Sequence, residues 1–255
     1  MQRPLTLRKI KDSTGTIELP NAYRETVPAG IRQIAFSTKQ LPCGIMFSET
    51  SENILVSGDL WEGLRLPHEG NVHLFCREDT LYIGPLIGIF TAGFTDHPLR
   101  PLGERTRFFA KFLSMADQVG AFCFTFGHHH INWEDGLING FFYLKDGWKQ
   151  ITVPFPDVIY DRLPNRRTEL LSHLQEVKQK LQEDYLIPWF NPGFFDKWEM
   201  HQRLENDERV LSYLPETRAN PTPATIESML STHRHIYLKP ANGSLGLGIQ
   251  QIIKQ

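Results

Sequence analysis

The sequence predicts an α/β protein, α+β overall, made of three successive parts: a β-rich domain over 1–85, an α/β domain of βαβ type over 86–187, and a last part over 188–255. Three observations predict this. Short apolar runs alternate with Gly, Pro and Asp turn signals through 21–85, the texture of closely spaced strands. A continuous apolar run, Leu86-Ile87-Gly88-Ile89-Phe90, precedes an amphipathic stretch and a second apolar run, Ala121 to Phe126, which is the pattern of a βαβ unit with strands buried on both faces. Near the C-terminal end, Gly243, Gly246 and Gly248 lie between two short strand-like segments.

Composition sets the outer bounds. The chain has 255 residues, 40% hydrophobic and 22% charged, with a net charge of -2. That is globular composition, and it lacks the clustered Lys/Arg face that nucleic acid requires. No run approaches the roughly 20 apolar residues that span a bilayer, and the basic residues of Met1 to Lys11 are followed by no apolar stretch, so neither a secretory signal nor a membrane partner is expected and synthesis is expected in the cytoplasm. Cys43, Cys76 and Cys123 are far apart with no metal-binding spacing and are expected as buried free thiols.

In the front part, strands are expected at Ile31–Phe36, Gly44–Phe47, Asn53–Val56, Val72–Phe75 and Leu81–Ile83, forming a small barrel or sandwich, with Leu64 to Pro67 as a strand ending in a turn. In the middle part, 103–119 is expected to be a helix with Phe108, Phe109, Phe112, Leu113, Ala116 and Val119 as its apolar stripe, ended by Gly120. The phenylalanines from Phe108 to Phe126 read as core. Strands follow at Trp148–Pro154 and Val158–Tyr160. Next comes a helix from Arg166 to Tyr185, with Leu170, Leu171, Leu174, Val177 and Leu181 inward and Glu176–Lys180 as an i,i+4 pair. In the last part, Asp196 is the expected cap of one helix, and Thr222, with Pro223 at the first helical position, the cap of another. Strands are expected at Ile236–Leu238 and Ile249–Ile253.

The chemistry concentrates in Lys239-Pro240-Ala241-Asn242-Gly243-Ser244-Leu245-Gly246-Leu247-Gly248. Glycines let backbone N–H groups crowd around an anion, and a lysine just before them can meet phosphate charge. The order G-x-x-G-x-G is not a dinucleotide fingerprint, and the Gly-Lys-Ser/Thr of a Walker loop is absent. A strand, a glycine loop and a second strand make a flap that can cover phosphates; the plainer alternative is a hairpin whose glycines only make a turn. Elsewhere, His128-His129-His130 is expected in a loop without a metal role, and His233 and His235 likewise. Trp133-Glu134-Asp135-Gly136 offers further carboxylates. Asp157 and Asp161 suggest a local ion network with Arg162, Arg166 and Arg167. Alternatively they mark a substrate-facing strand edge, where Arg162 would be the best contact for a substrate carboxylate.

With Asp196-Lys197-Trp198, Leu214-Pro215-Glu216-Thr217 and the lysine–glycine segment, the sequence resembles the ATP-grasp superfamily. Leu81 to Ile89 and Pro154 to Arg162 resemble signatures of its YheC/YheD-type endospore coat-associated branch, so the resemblance covers roughly 60–255. It implies that 86–187 is a pre-ATP-grasp-like domain and 188–255 the first part of an ATP-grasp domain, with Lys197, Lys239, Gly243, Ser244, Leu245, Gly246 and Gly248 binding ATP. It also implies an ADP-forming carboxylate–amine ligase acting through an acyl phosphate, with Mg²⁺ as cofactor, and association with the spore coat and its proteins. The alternative is a non-catalytic structural protein of the coat. ATP-grasp enzymes carry their Mg²⁺ ligands after the flap, so none is expected before Gln255.

Overall fold

The computed structural model describes residues 4–11, 13–243 and 246–254. The chain divides into two compact units, Met1–Gly193 and Phe194–Gln255, and the overall class is α+β.

Among the described residues of the first unit, eight strands make one mixed sheet: β1 (Leu5–Ile10), β2 (Thr16–Pro20), β3 (Gln33–Phe36), β4 (Lys39–Pro42), β5 (Gly44–Ser48), β6 (Ile54–Ser57), β7 (Gly70–Arg77) and β8 (Thr80–Gly84). They lie in the order β4-β3-β8-β7-β1-β6-β2-β5. The sequence reading did not anticipate β1 and β2, although Leu5/Leu7 and Ile17/Leu19 alternate as a half-buried strand requires; Leu7, Ile17 and Leu19 are fully buried. The expected strand at 64–67 is not one. Helix α1 (Gly58–Gly63) follows β6, Leu64 is its last capping residue, and Arg65 turns the chain away at φ 60°. Leu64 and Leu66 are buried because they close the helix end over the sheet, a role that their spacing shares with a strand.

The second sheet contains β9 (Leu86–Phe90), β10 (Phe122–Phe126), β11 (Ile131–Asn132), β12 (Leu137–Leu144), β13 (Gly147–Pro154), β14 (Val158–Asp161) and β15 (Trp189–Phe190). Its order is β11-β12-β10-β9-β14-β15, with β13 beside β12. The expected βαβ unit is present: β9 lies between β10 and β14 and runs parallel to both, and α2 (Thr106–Ser114) connects β9 to β10. That helix is shorter than 103–119, with a 3₁₀ turn on each side and Gly120 at φ 74° ending the segment. Only half of the expected stripe is inward. Phe109 and Leu113 are buried, whereas Phe108, Phe112 and Val119 are exposed, so the phenylalanine series is core only in part. The helix expected over 166–185 breaks into α3 (Arg166–Glu169) and α4 (Ser172–Glu183). Leu171 is extended at the break, so Leu170 and Leu171 stay exposed while Leu174 and Leu181 enter the core. Lys180, expected to pair with Glu176, has its ammonium 4.4 Å from the centre of the Trp133 ring.

One apolar core runs from Leu7 to Ile187 and joins the two sheets. Phe36 of β3 meets Phe122 of β10 edge to face at 5.6 Å, a favourable aromatic geometry. The Ser37 hydroxyl donates across the same seam to the Phe155 carbonyl, and within the second sheet the Leu86 N–H donates to Asp157 Oδ2 at 2.7 Å. The thiols are graded. Cys123 is buried and burial pushes its pKa up to about 12; Cys43 is half-buried, at about 11; Cys76 is exposed, against the expectation that all three would be covered. Among the described residues no helix is long and apolar enough to cross a membrane.

The second unit contains α5 (Lys197–Glu205), α6 (Glu208–Leu211), α7 (Pro223–His233) and the antiparallel pair β16 (His235–Leu238) and β17 (Gln250–Ile253), in register from His235↔Ile253 to Leu238↔Gln250. Both strands and the two longer helices follow the sequence expectation.

The centre of β9 has no room for a side chain: a Cβ on Gly88 would lie 2.8 Å from Phe126 Cε1 and 2.9 Å from Pro156 Cγ. Gly88→Ala is expected to destabilise the first unit by about 1–3 kcal/mol through overpacking, measured as a lower urea midpoint with an unchanged slope.

Candidate functional site

The second unit brings the start of α5 to the glycine loop. Asp196 precedes the helix in an extended conformation, and its Oδ1 accepts from the N–H groups of Trp198 at 2.8 Å and Glu199 at 2.9 Å. Two otherwise unpaired donors of the first turn are thereby satisfied. Lys197, the next residue, is held by the loop three times. Its backbone N–H donates to the Ala241 carbonyl at 3.0 Å, and its ammonium donates to the carbonyls of Pro240, at 2.9 Å, and Gly243. A lysine ammonium has three donors, and two of them go to described carbonyls of the loop.

The loop has the backbone that its glycines allow. Gly246 and Gly248 adopt φ 76° and 74°, the left-handed region that glycine enters without steric cost. Gly248 also lies against Pro240, whose Cγ would be 2.9 Å from a Cβ there, and a Cβ on Gly243 would be 3.3 Å from the Leu247 carbonyl oxygen. Ser244 and Leu245 lie outside the described residues. Lys239 stands exposed at the end of β16 with its ammonium 5.6 Å from the centre of the Tyr237 ring. The structure thus joins Lys197 to Gly243 and its neighbours, and sets Lys239 at the mouth of the same loop. In the segment 214–217, the Glu216 carboxylate is bound by His233 Nε2 at 2.7 Å and Arg218 at 2.8 Å, which holds its pKa below the usual range, the histidine being the larger cause.

In the first unit Arg162 follows β14, at the C-terminal end of the parallel strands. Its guanidinium carbon lies 5.2 Å from the centre of the Phe108 ring and 5.7 Å from that of Tyr160, and its buried Nε has no hydrogen-bond partner among the described residues. Beside it, Arg105 donates to Thr91 Oγ1 at 2.9 Å, to the Arg162 carbonyl at 2.7 Å and to the Ala92 carbonyl at 3.3 Å. No motif announced Arg105, because its neighbours in space come from distant strand ends. The expected Asp157/Asp161–arginine network is not what forms. Successive residues of a strand face opposite sides, so buried Asp161 turns away from Arg162 to Lys178 at 3.4 Å, Trp189 Nε1 at 3.1 Å and the Leu163 N–H at 3.0 Å. Asp157 accepts from Leu86, and burial raises its pKa.

The three adjacent histidines form a 3₁₀ turn, His128–His130. Gly127 N–H donates to His130 Nδ1 at 2.9 Å, which fixes that nitrogen as an acceptor and the ring as neutral, and burial lowers its pKa to about 4. Among the described residues no group of three or more His, Cys, Asp or Glu side chains is arranged to hold a metal ion. Among the described residues the loop offers no oxygen cage for Mg²⁺.

Residues 186–255 match the family model described as YheC/D like ATP-grasp. Over 245 residues, 96% of its length, the chain is 42% identical to the endospore coat-associated protein YheD of Bacillus subtilis (strain 168). Along nearly its whole length the chain is similar to the YheC/YheD family. A second family member, the endospore coat-associated protein YheC of the same organism, is 28% identical over 102 residues, 40% of this chain. The alignments take in 53% of YheD and 28% of YheC, so the chain spans about half the length of YheD and less of YheC. No solved structure matches it. The segment that matches the family model contains the whole Lys197–loop arrangement.

Two outcomes follow from this geometry. Asp196→Ala removes both cap bonds and is expected to cost about 1 kcal/mol, read by chemical denaturation. For His130 the folded pKa is lower than the unfolded value, so the unfolded chain binds more protons between about 4 and 6.5. Stability is then fully present above that window and lost as pH falls through it; His130→Asn should flatten this dependence in melts taken from pH 7 to pH 4.

Proposed function

We propose that the second unit is the phosphate-binding part of an ATP-grasp nucleotide site. The observation that carries this is the capture of Lys197 by the carbonyls of Pro240, Ala241 and Gly243, which places a cation at the rim of a glycine loop. Lys197 and Lys239 neutralise phosphate charge. Gly243, Ser244, Leu245, Gly246 and Gly248 supply backbone N–H groups and the conformational freedom to aim them.

In the whole protein this site serves an ADP-forming carboxylate–amine ligase. A carboxylate oxygen attacks the terminal phosphorus of ATP, ADP leaves, and an amine then attacks the acyl carbon and expels phosphate. The chain's own residues bind and orient the nucleotide; Mg²⁺, the family's cofactor, would supply further charge neutralisation when bound. The whole protein works in association with the spore coat and its other proteins, as the names of YheD and YheC suggest. Those names also support a second reading, a non-catalytic structural or interaction protein of the coat in which the loop is only a hairpin.

Thermal shift with ATP separates the two. Under the first, ATP raises the melting temperature, and Lys239→Ala or Lys197→Ala weakens binding by about 10- to 100-fold, the loss of one charge-assisted hydrogen bond. Under the second, ATP leaves the melting temperature of the wild type and of both variants unchanged.

A further inference from the structure

Beside α2, the first unit presents a groove whose walls are almost entirely carbon, with a volume of about 550 Å³. Ile87, Phe112, Val119, Cys123, Tyr160 and Phe190 are among its lining residues. Phe190 and Val119 are 65% and 64% exposed, and Phe112 is 41% exposed. The size falls within the range of small-molecule sites, and Tyr160 organises it: its ring lies 5.9 Å from Phe112 and 5.2 Å from Phe190.

Tyr160 also ties the groove to a charge. The Arg162 guanidinium lies over that same ring and over Phe108. It donates no hydrogen bond to any described residue, and its Nε is buried without a partner, a costly state for a cation. The adjacent Asp161 is committed to Lys178, and Arg105 spends its donors on two carbonyls and a hydroxyl. Two guanidinium charges thus stand side by side without a carboxylate between them. The basicity of Arg105 is lowered by burial and, second, by the charge of Arg162. An anion would relieve both the repulsion and the unpaired Nε, and a planar carboxylate matches the fork of a guanidinium.

We propose that this groove binds a carboxylate with an apolar body, the head group on Arg162 and the hydrocarbon or aromatic part along Tyr160, Phe112 and Phe190. Its role as the acid-substrate site rests on the ligase function proposed above, and it narrows that substrate to an amphipathic acid. Binding itself is measured separately.

The experiment is calorimetric titration of the chain with n-alkanoates from hexanoate to decanoate, with decylamine as the cationic control. Affinity is expected to tighten by about fourfold per added methylene, as burial of a CH₂ requires, and decylamine to bind at least about tenfold more weakly than decanoate. Arg162→Gln should weaken decanoate binding about 10- to 100-fold. Val119→Glu, at an exposed position, should do the same while leaving the melting temperature within a few degrees. Affinity independent of chain length, equal binding of decylamine, or full affinity in Arg162→Gln would overturn the proposal. So would self-association of the chain that Val119→Glu abolishes, with no alkanoate bound, since the groove would then be an interface between copies. An ATP-induced thermal shift that depends on Lys239, alongside absent alkanoate binding, would sink this site and leave the nucleotide site standing. Alkanoate binding without an ATP effect would do the reverse.

Discussion

Contact between phenylalanine rings holds the first unit together. Phe36, Phe90, Phe122, Phe124, Phe126, Phe142 and Phe155 are fully buried, and the edge-to-face meeting of Phe36 with Phe122 joins a strand of one sheet to a strand of the other. Such rings fill a core only where a neighbour yields the space, and Gly88 yields it at the centre of β9. The parallel triplet β10-β9-β14 is thereby fixed, and with it the strand ends from which Thr91 and Arg162 project. The arginine pair is a product of core packing more than of any local motif.

The legible elements were those whose signal is local. The buried run of β9, the crossover to β10, the Asp196 and Thr222 caps and the strand–loop–strand of the second unit all rest on residues within a few positions of each other. The misread ones depended on distant partners. Leu64 and Leu66 have the spacing of a strand but close a helix end. The stripe of α2 looked uniformly apolar, yet only Phe109 and Leu113 are buried, while Phe108, Phe112 and Val119 stay exposed. Leu170 and Leu171 continued a helical pattern that the extended Leu171 interrupts. The same division holds at the sites. Lys197 and the glycines were named from sequence, through a local motif and its resemblance to a family, whereas Arg105 was not, since only the fold brings it to Arg162.

At the second unit, structure and chemistry share residues. The bonds that fasten the loop to the first turn of α5 come from the residue that would meet phosphate. A helix start supplies positive partial charge as well as a lysine, and Asp196, adjacent in sequence, spends its own charge on the cap. The phosphate-binding role proposed for the loop therefore rests as much on helix initiation as on glycine content.

The graded thiols have a practical side. Burial pushes the Cys123 thiol up to about 12, so at pH 7 it stays protonated, and it lies near the start of β10. An alkylating reagent in the medium meets Cys76 on β7 from the start, whereas Cys123 is reached only through the groove beside α2 that it lines. Counting labelled cysteines against time would turn this chain into its own stopwatch, the first mass increment marking reagent arrival and the last marking how freely that groove admits a small molecule.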